Sequence, residues 1–145
     1  MLKILPKRTT LPLPGPFACF AGRDGVDETF DVFCLTTEEH IVSTYFWEAR
    51  EACRVVTEVV TFALNRFAGH DVDDSFDSKD IATFRYEYPG PYSIRKYRCE
   101  GRGPCFEVYC RSTNREIVDR YGRDRLDKRI AKAIACSLNR IFPSP

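Results

Sequence analysis

Residues 30–45 read FDVFCLTTEEHIVSTY, and residues 106–121 read FEVYCRSTNREIVDRY. They align without gaps at an offset of 76, with seven of sixteen positions identical: Phe30/Phe106, Val32/Val108, Cys34/Cys110, Thr37/Thr113, Ile41/Ile117, Val42/Val118 and Tyr45/Tyr121. Asp31/Glu107, Phe33/Tyr109 and Thr36/Ser112 are chemically alike. Downstream, Leu64-Asn65-Arg66 echoes Leu138-Asn139-Arg140 at an offset of 74, and upstream Gly22-Arg23 stands against Gly101-Arg102. Self-similarity at a fixed offset is the signature of an internal duplication.

The alternation within each copy predicts a half-buried strand. Phe30, Val32 and Cys34 point one way and Asp31 and Phe33 the other; Phe106, Val108 and Cys110 oppose Glu107 and Tyr109 in the same manner. Thr36 with Glu39, and Thr113 with Glu116, have capping-box spacing, so each strand is expected to run straight into a helix. The first helix is expected from about Glu38 to Phe67, along the stripe Val42, Tyr45, Ala49, Ala52, Val56, Val60, Ala63 and Phe67. The second, broken at Gly122, carries Leu126, Ile130, Ala133, Ile134, Leu138 and Ile141 on one face. Acid-before-base pairs at i,i+4 (Glu116/Arg120, Asp119/Arg123, Asp124/Lys128) fit its other face.

Between the copies, GHDVDDSFDSKD (69–80) reads as an acidic surface linker. IATFRYEY and YSIRKYRC flank Pro89-Gly90-Pro91, which predicts a β-hairpin. The element order is then β-β-α-β-β-β-α. The expected fold is α+β: one antiparallel β-sheet with two long helices packed on one face, about a pseudo-two-fold axis. Residues 1–16 hold four prolines and read as an extended arm. Residues 17–145 read as a single domain of two repeats, 17–68 and 81–142.

The chain is 145 residues long, with 22 basic and 21 acidic residues. No window approaches 18 consecutive apolar residues, so no membrane partner is expected. The prolines interrupt any secretory apolar core, and seven cysteines are an odd number without a CxxC pair. Reduced thiols in a cytoplasmic setting are the expectation. No metal is expected, because the Cys99, Cys105 and Cys110 cluster has no histidine near it in sequence. No nucleotide-binding glycine loop, GxSxG or HExxH occurs, so no cofactor and no catalytic residue is assigned.

Missing catalytic constellations and a symmetric scaffold point first to a non-catalytic protein–protein interaction or assembly factor, acting with a protein partner or by self-association. Phe46 and Trp47 lie off the helical stripe and are its candidate contacts. The alternative is binding of RNA or single-stranded nucleic acid. Residues 81–145 carry fourteen basic against seven acidic residues, whereas residues 71–80 carry one against five. In the hairpin segment Arg85, Tyr86, Tyr88, Tyr92, Arg95, Lys96, Tyr97, Arg98 and Arg102 interleave stacking faces with cations. A second alternative is a ligand or enzyme site at the seam between repeats, lined by Asp31, Glu107 or the tyrosines.

The tail from Ile81, with its aromatic hairpin, third strand and closing helix RLDKRIAKAIACSLNRIF, resembles the double-stranded-RNA-binding domain, whose order is α-β-β-β-α. The likeness lies in element order and in a last helix that is basic, then alanine-rich. It covers only this C-terminal part, and STNREIVDRYGRD stands where the family has a glycine-flanked basic loop. The helix ahead of the tail is longer than the family's, and the resemblance stands beside the nucleic-acid alternative read from hairpin 81–102 and the basic second helix.

Overall fold

The structure, a computed structural model, describes residues 14–24, 27–45, 50–70, 78–99, 103–118, 120–121, 124–125 and 128–143. The fold is α+β. Strands β1 (Phe17–Asp24), β2 (Asp27–Cys34) and β3 (Glu39–Tyr45) precede helices α1 (Arg50–Ala68) and α2 (Ser78–Glu87). Strands β4 (Tyr92–Cys99), β5 (Gly103–Cys110) and β6 (Arg115–Val118) follow, then the two-residue strands β7 (Arg120–Tyr121) and β8 (Asp124–Arg125), and helix α3 (Lys128–Ile141). The expected single sheet is instead two three-stranded antiparallel sheets, β1-β2-β3 and β4-β5-β6, with β7-β8 as a separate ribbon. Helix α1 packs on the first sheet and α3 on the second, the two helices touch, and β3 approaches β7 without pairing. One core joins both halves, from Val32, Val42, Val59 and Val60 to Val108, Val118, Ile134 and Leu138.

The expectation that each strand feeds directly into a helix is corrected. After β2 and β5 the chain turns back into another strand. Glu38 and Asn114 sit at φ 64° and 62°, which ends any helical path there. Of the two hydroxyls that suggested capping boxes, Thr36 Oγ1 donates to Gly15 O at 2.6 Å and Thr113 Oγ1 accepts from Arg115 N–H within its turn at 3.3 Å; in the first copy the neighbouring Thr37 Oγ1 takes the equivalent bond, from Glu39 N–H at 3.3 Å. Helix α1 therefore begins at Arg50, not Glu38, and residues 115–118 form a strand where the Glu116/Arg120 pair had implied a helix. Asp119, Gly122, Arg123 and Leu126 lie outside the described residues.

The hairpin expected around Pro89-Gly90-Pro91 is also corrected. Residues 78–87 are helical. Ile81, Phe84 and Tyr88 recur at three- and four-residue spacing, and all pack into or against the core. Phe84 is anchored between Tyr88, Tyr92 and Phe142, at ring-centroid distances of 5.1, 6.0 and 6.2 Å. The last residues of the expected acidic linker belong to this helix. Asp80 is buried, and its carboxylate takes the Arg54 guanidinium of α1 bidentately at 3.0 and 3.2 Å.

The two halves repeat each other's local geometry. Phe17 faces Cys34 and Tyr92 faces Cys110; Val32 faces Val42 and Val108 faces Val118, with a bulge at the next residue in both sheets. In each half the turn after the central strand donates to the carbonyl of the proline opening the unit: Leu35 N–H to Pro16 at 2.9 Å, and Arg111 N–H to Pro91 at 2.8 Å. The Leu-Asn-Arg echo places one asparagine on each helix. Phe17 N–H donates to Asn65 Oδ1 (2.7 Å) while Asn65 Nδ2 donates to Phe17 O (2.9 Å). Tyr92 and Asn139 form the same two bonds, at 2.8 Å each.

Removing either amide strands two backbone groups at the start of a strand, and each unmet group costs about 1–3 kcal/mol. Asn65→Ala and Asn139→Ala are each expected to lower unfolding stability by about 2–4 kcal/mol in urea titrations.

Candidate functional site

The sheets present differently built outer faces. On the first, the Asp31 carboxylate lies close against β1, where a Cβ at Gly22 would collide with its Oδ2. Thr29 Oγ1 donates to Asp31 Oδ2 at 3.2 Å, and His40 Nε2 stands 3.3 Å from Asp31 Oδ1. The His40 imidazole stacks on Phe33, with centroids 4.7 Å apart and planes 22° apart, and Phe20 tilts against Phe33 at 6.0 Å. Asp31, expected on a solvated face, is only 8% exposed, because these neighbours close over it. Phe20 and Leu35 remain 50% and 49% exposed.

On the second sheet Glu107 takes the guanidinium of Arg95, its cross-strand neighbour. The same guanidinium lies 4.0 Å from the Tyr109 ring centroid, and Arg95 Nη1 donates to Asn114 Oδ1 at 2.6 Å. Asp31 and Glu107, proposed as one seam, thus belong to separate sheets and separate ion pairs.

The nine residues of the aromatic-basic segment do not form one surface. Arg85 and Tyr86 are on α2; Tyr86 is 83% exposed, whereas Arg85 is half-buried over Phe142 at 5.1 Å. Tyr88 lies under the Arg115 guanidinium at 4.9 Å. Tyr92 is buried, and its hydroxyl donates to Tyr88 O at 2.6 Å. Burial first of all pushes its phenol up to about 12. Arg95 is held by Glu107 and Lys96 is exposed on β4. Tyr97 and Arg98 lie in β4, but their side chains are outside the description. Arg102, Phe46 and Trp47 lie outside the described residues.

The cationic surface that sequence reading attributed to the second helix in general is a stripe on α3. Lys128, Arg129, Lys132 and Arg140 are exposed on a 14-residue helix that contains no acidic residue. The inner face carries Ile130, Ile134 and Leu138 into the core. Lys128 and Arg129 sit at the helix start, where the macrodipole favours acids and opposes cations. The absence of acids over 128–141 was the legible signal; the exposure of the stripe was not.

Cys34 and Cys110 end the two central strands and are fully buried. Cys110 Sγ accepts Gly90 N–H at 3.2 Å and lies 3.4 Å from Ser112 Oγ. Burial pushes the Cys110 thiol up, but hydrogen bonds from the Ser112 and Thr113 side chains and the Gly90 and Thr113 backbone outweigh it and bring it down to about 7. Cys34 is likewise pushed up by burial and brought lower overall by Thr37, Gly15 and Thr36. These sulfurs tie the turn to the segment that opens the unit. Among the described residues no group of three or more His, Cys, Asp or Glu could hold a metal ion, and no helix is long and apolar enough to cross a membrane.

Between pH 7 and 9 the folded chain releases the Cys110 proton while the unfolded chain keeps it, so stability rises with pH. The gain, on the order of 2 kcal/mol, is complete above pH 9 and absent below 7. Urea titrations at stepped pH are expected to show this rise, and Cys110→Ser to reduce it, leaving the smaller part that belongs to the lowered Cys34 thiol. No protein-family model, curated protein or solved structure matches the chain.

Proposed function

We propose that the chain is a non-catalytic binding protein whose C-terminal half engages double-stranded RNA. The observation that carries this reading is the exposed, acid-free cationic stripe of α3, packed on the β4-β5-β6 sheet. With α2 ahead of that sheet, the order α2-β4-β5-β6-α3 is the α-β-β-β-α of the double-stranded-RNA-binding domain that the tail resembles. The ribbon β7-β8 is an addition before the last helix. Domains of that kind read duplex shape through phosphates and 2′-hydroxyls rather than by stacking bases on aromatics. Engagement of Tyr88 and Tyr92 inside the fold is therefore no obstacle to duplex binding, whereas single-strand stacking would need those rings. The start of α3, where exposed Lys128 meets the positive end of the helix dipole, favours a phosphate.

A labelled RNA duplex of roughly 16 base pairs or more is expected to bind in a salt-dependent manner. The double variant Lys128→Ala/Lys132→Ala should weaken binding and lower the log-affinity versus log-salt slope by about 2. No mobility shift of the duplex at low salt removes the reading.

A second reading, protein interaction, is favoured by the aromatic outer face of the first sheet. Phe20, against the Phe33–His40 stack, and Leu35, in the turn that follows β2, are about half exposed, and exposed aromatic clusters are the usual anchors of interfaces. Phe20→Ser/Leu35→Ser should abolish a stoichiometric partner captured by the wild-type protein and leave RNA binding intact. Identical capture by both proteins removes this reading.

A further inference from the structure

The second sheet shows what the first sheet's outer face is shaped to hold. Its central strand offers a carboxylate, Glu107, and two residues on an aromatic ring, Tyr109; the following turn offers Asn114 at positive φ. Together they hold one guanidinium: Glu107 pairs with it, Tyr109 lies flat under it, and Asn114 accepts from it with Oδ1. The guanidinium comes from Arg95, the cross-strand neighbour of Glu107.

The first sheet has the same three positions, two of them filled by the same chemistry. Asp31 stands where Glu107 does, Phe33 where Tyr109 does, and Glu38, also at positive φ, where Asn114 does. The cross-strand neighbour of Asp31, however, is Phe20. The receptor is thus repeated with a second carboxylate in place of an amide, and the position that supplies the arginine holds a half-exposed phenylalanine. His40, a smaller planar donor, lies on the Phe33 ring and reaches Asp31.

We infer that the outer face of β1-β2-β3 is a receptor for an arginine side chain presented by a partner protein. This rests on the protein-interaction reading of the same face and specifies its chemistry. The incoming guanidinium displaces the imidazole, stacks on Phe33 and pairs with Asp31, while Glu38 takes its remaining N–H groups. Phe20 and Leu35 cover the aliphatic part of the arginine and its neighbours in the bound segment. Arginine rather than lysine fits, because the site joins a flat ring to carboxylates at two edges, and an ammonium cannot use both the stacking face and the fork. The tip of this hairpin adds Glu39, whereas the equivalent tip carries Arg111 and Arg115, so the field at the first tip also favours a cation.

Backbone amide shifts read the site directly. Acetyl-arginine amide titrated into the full-length protein is expected to give saturable shifts at Asp31, Phe33 and Glu38. Acetyl-lysine amide should bind about tenfold or more weakly. Phe20→Arg, at an exposed position, supplies the guanidinium in cis and should abolish the shifts without lowering the melting temperature. Absence of saturable shifts, equal binding of the lysine probe, or full binding by a folded Phe20→Arg protein overturns the inference. If the arginine probe fails while Phe20→Ser/Leu35→Ser still loses its partner, the receptor falls and the interaction reading stands. If the probe binds but that variant keeps every partner, the interaction reading falls instead. Light scattering on the same samples is expected to show a monomer. A concentration-dependent oligomer that Phe20→Arg dissolves would give the site to a second copy and overturn its assignment to a separate partner.

Discussion

One asparagine amide on α1 and one on α3 hold those helices to the first residue of their sheets, and the strand placements build on them. An amide carries an acceptor oxygen and a donor nitrogen side by side, so it can accept a backbone N–H and donate to the carbonyl of the same residue. Asn65 does this for Phe17 and Asn139 for Tyr92, so the edge strand cannot slide along its helix without breaking two bonds. A register shift of one residue would exchange the two faces of the strand. By fixing Phe17 opposite Cys34 and Tyr92 opposite Cys110, the clamps decide that Asp31, Phe33, Glu107 and Tyr109 face outward while Val32 and Val108 enter the core.

The same frame carries opposite chemistry in its two halves. Aligned on the clamping asparagines, Lys128 of α3 corresponds to Arg54 of α1, and Lys132 to Glu58. Arg54 is not available to a phosphate: Glu51, Glu58 and Asp80 surround its guanidinium. An N-terminal duplex-binding face would have to break that network and would meet the acidic first sheet. On the outer faces the inversion runs the other way. The second sheet closes its carboxylate with its own arginine, and the first leaves an aromatic-acidic surface tended by a histidine. On the proposed readings, these substitutions divide the labour between the halves, RNA on one helix and a protein on the opposite unit's sheet.

Much of the framework was legible. The alternation in FDVFC and FEVYC placed both central strands and their buried sides, and the Leu-Asn-Arg echo marked the clamps, though not their role. The helices expected at Glu38 and after Thr113 were misread because a Thr-x-x-Glu spacing serves a capping box and a tight turn equally well; the positive φ at Glu38 and Asn114, which decides between them, leaves no trace in residue type beyond the asparagine. IATFRYEY read as a strand because Phe84, Tyr86 and Tyr88 alternate, yet Phe84 and Tyr88 also lie one helical turn apart, and it is that spacing which the core uses. Pro14-Gly15-Pro16 and Pro89-Gly90-Pro91 open the two units at an offset of 75. Their repetition was the readable sign that Tyr92 begins a strand as Phe17 does, and that the residues before it are not its hairpin partner. The proposed arginine receptor was not readable, because it depends on which residue faces Asp31 across the ladder, and pairing between strands is set by turns rather than by local sequence.

Near-neutral total charge conceals a chain polarised along its sequence. Residues 1–80 hold fourteen acidic and eight basic side chains, and the remainder the reverse excess. At physiological ionic strength fields decay over about 8 Å, so each face acts on what is close to it and little on the other. On the two proposed readings, a polyanion is drawn to α3 and kept from the acidic sheet, while an arginine-bearing segment is drawn to that sheet and repelled by the helix stripe. Competition between the two proposed kinds of partner would then be suppressed by like-charge repulsion at the wrong face as much as by attraction at the right one.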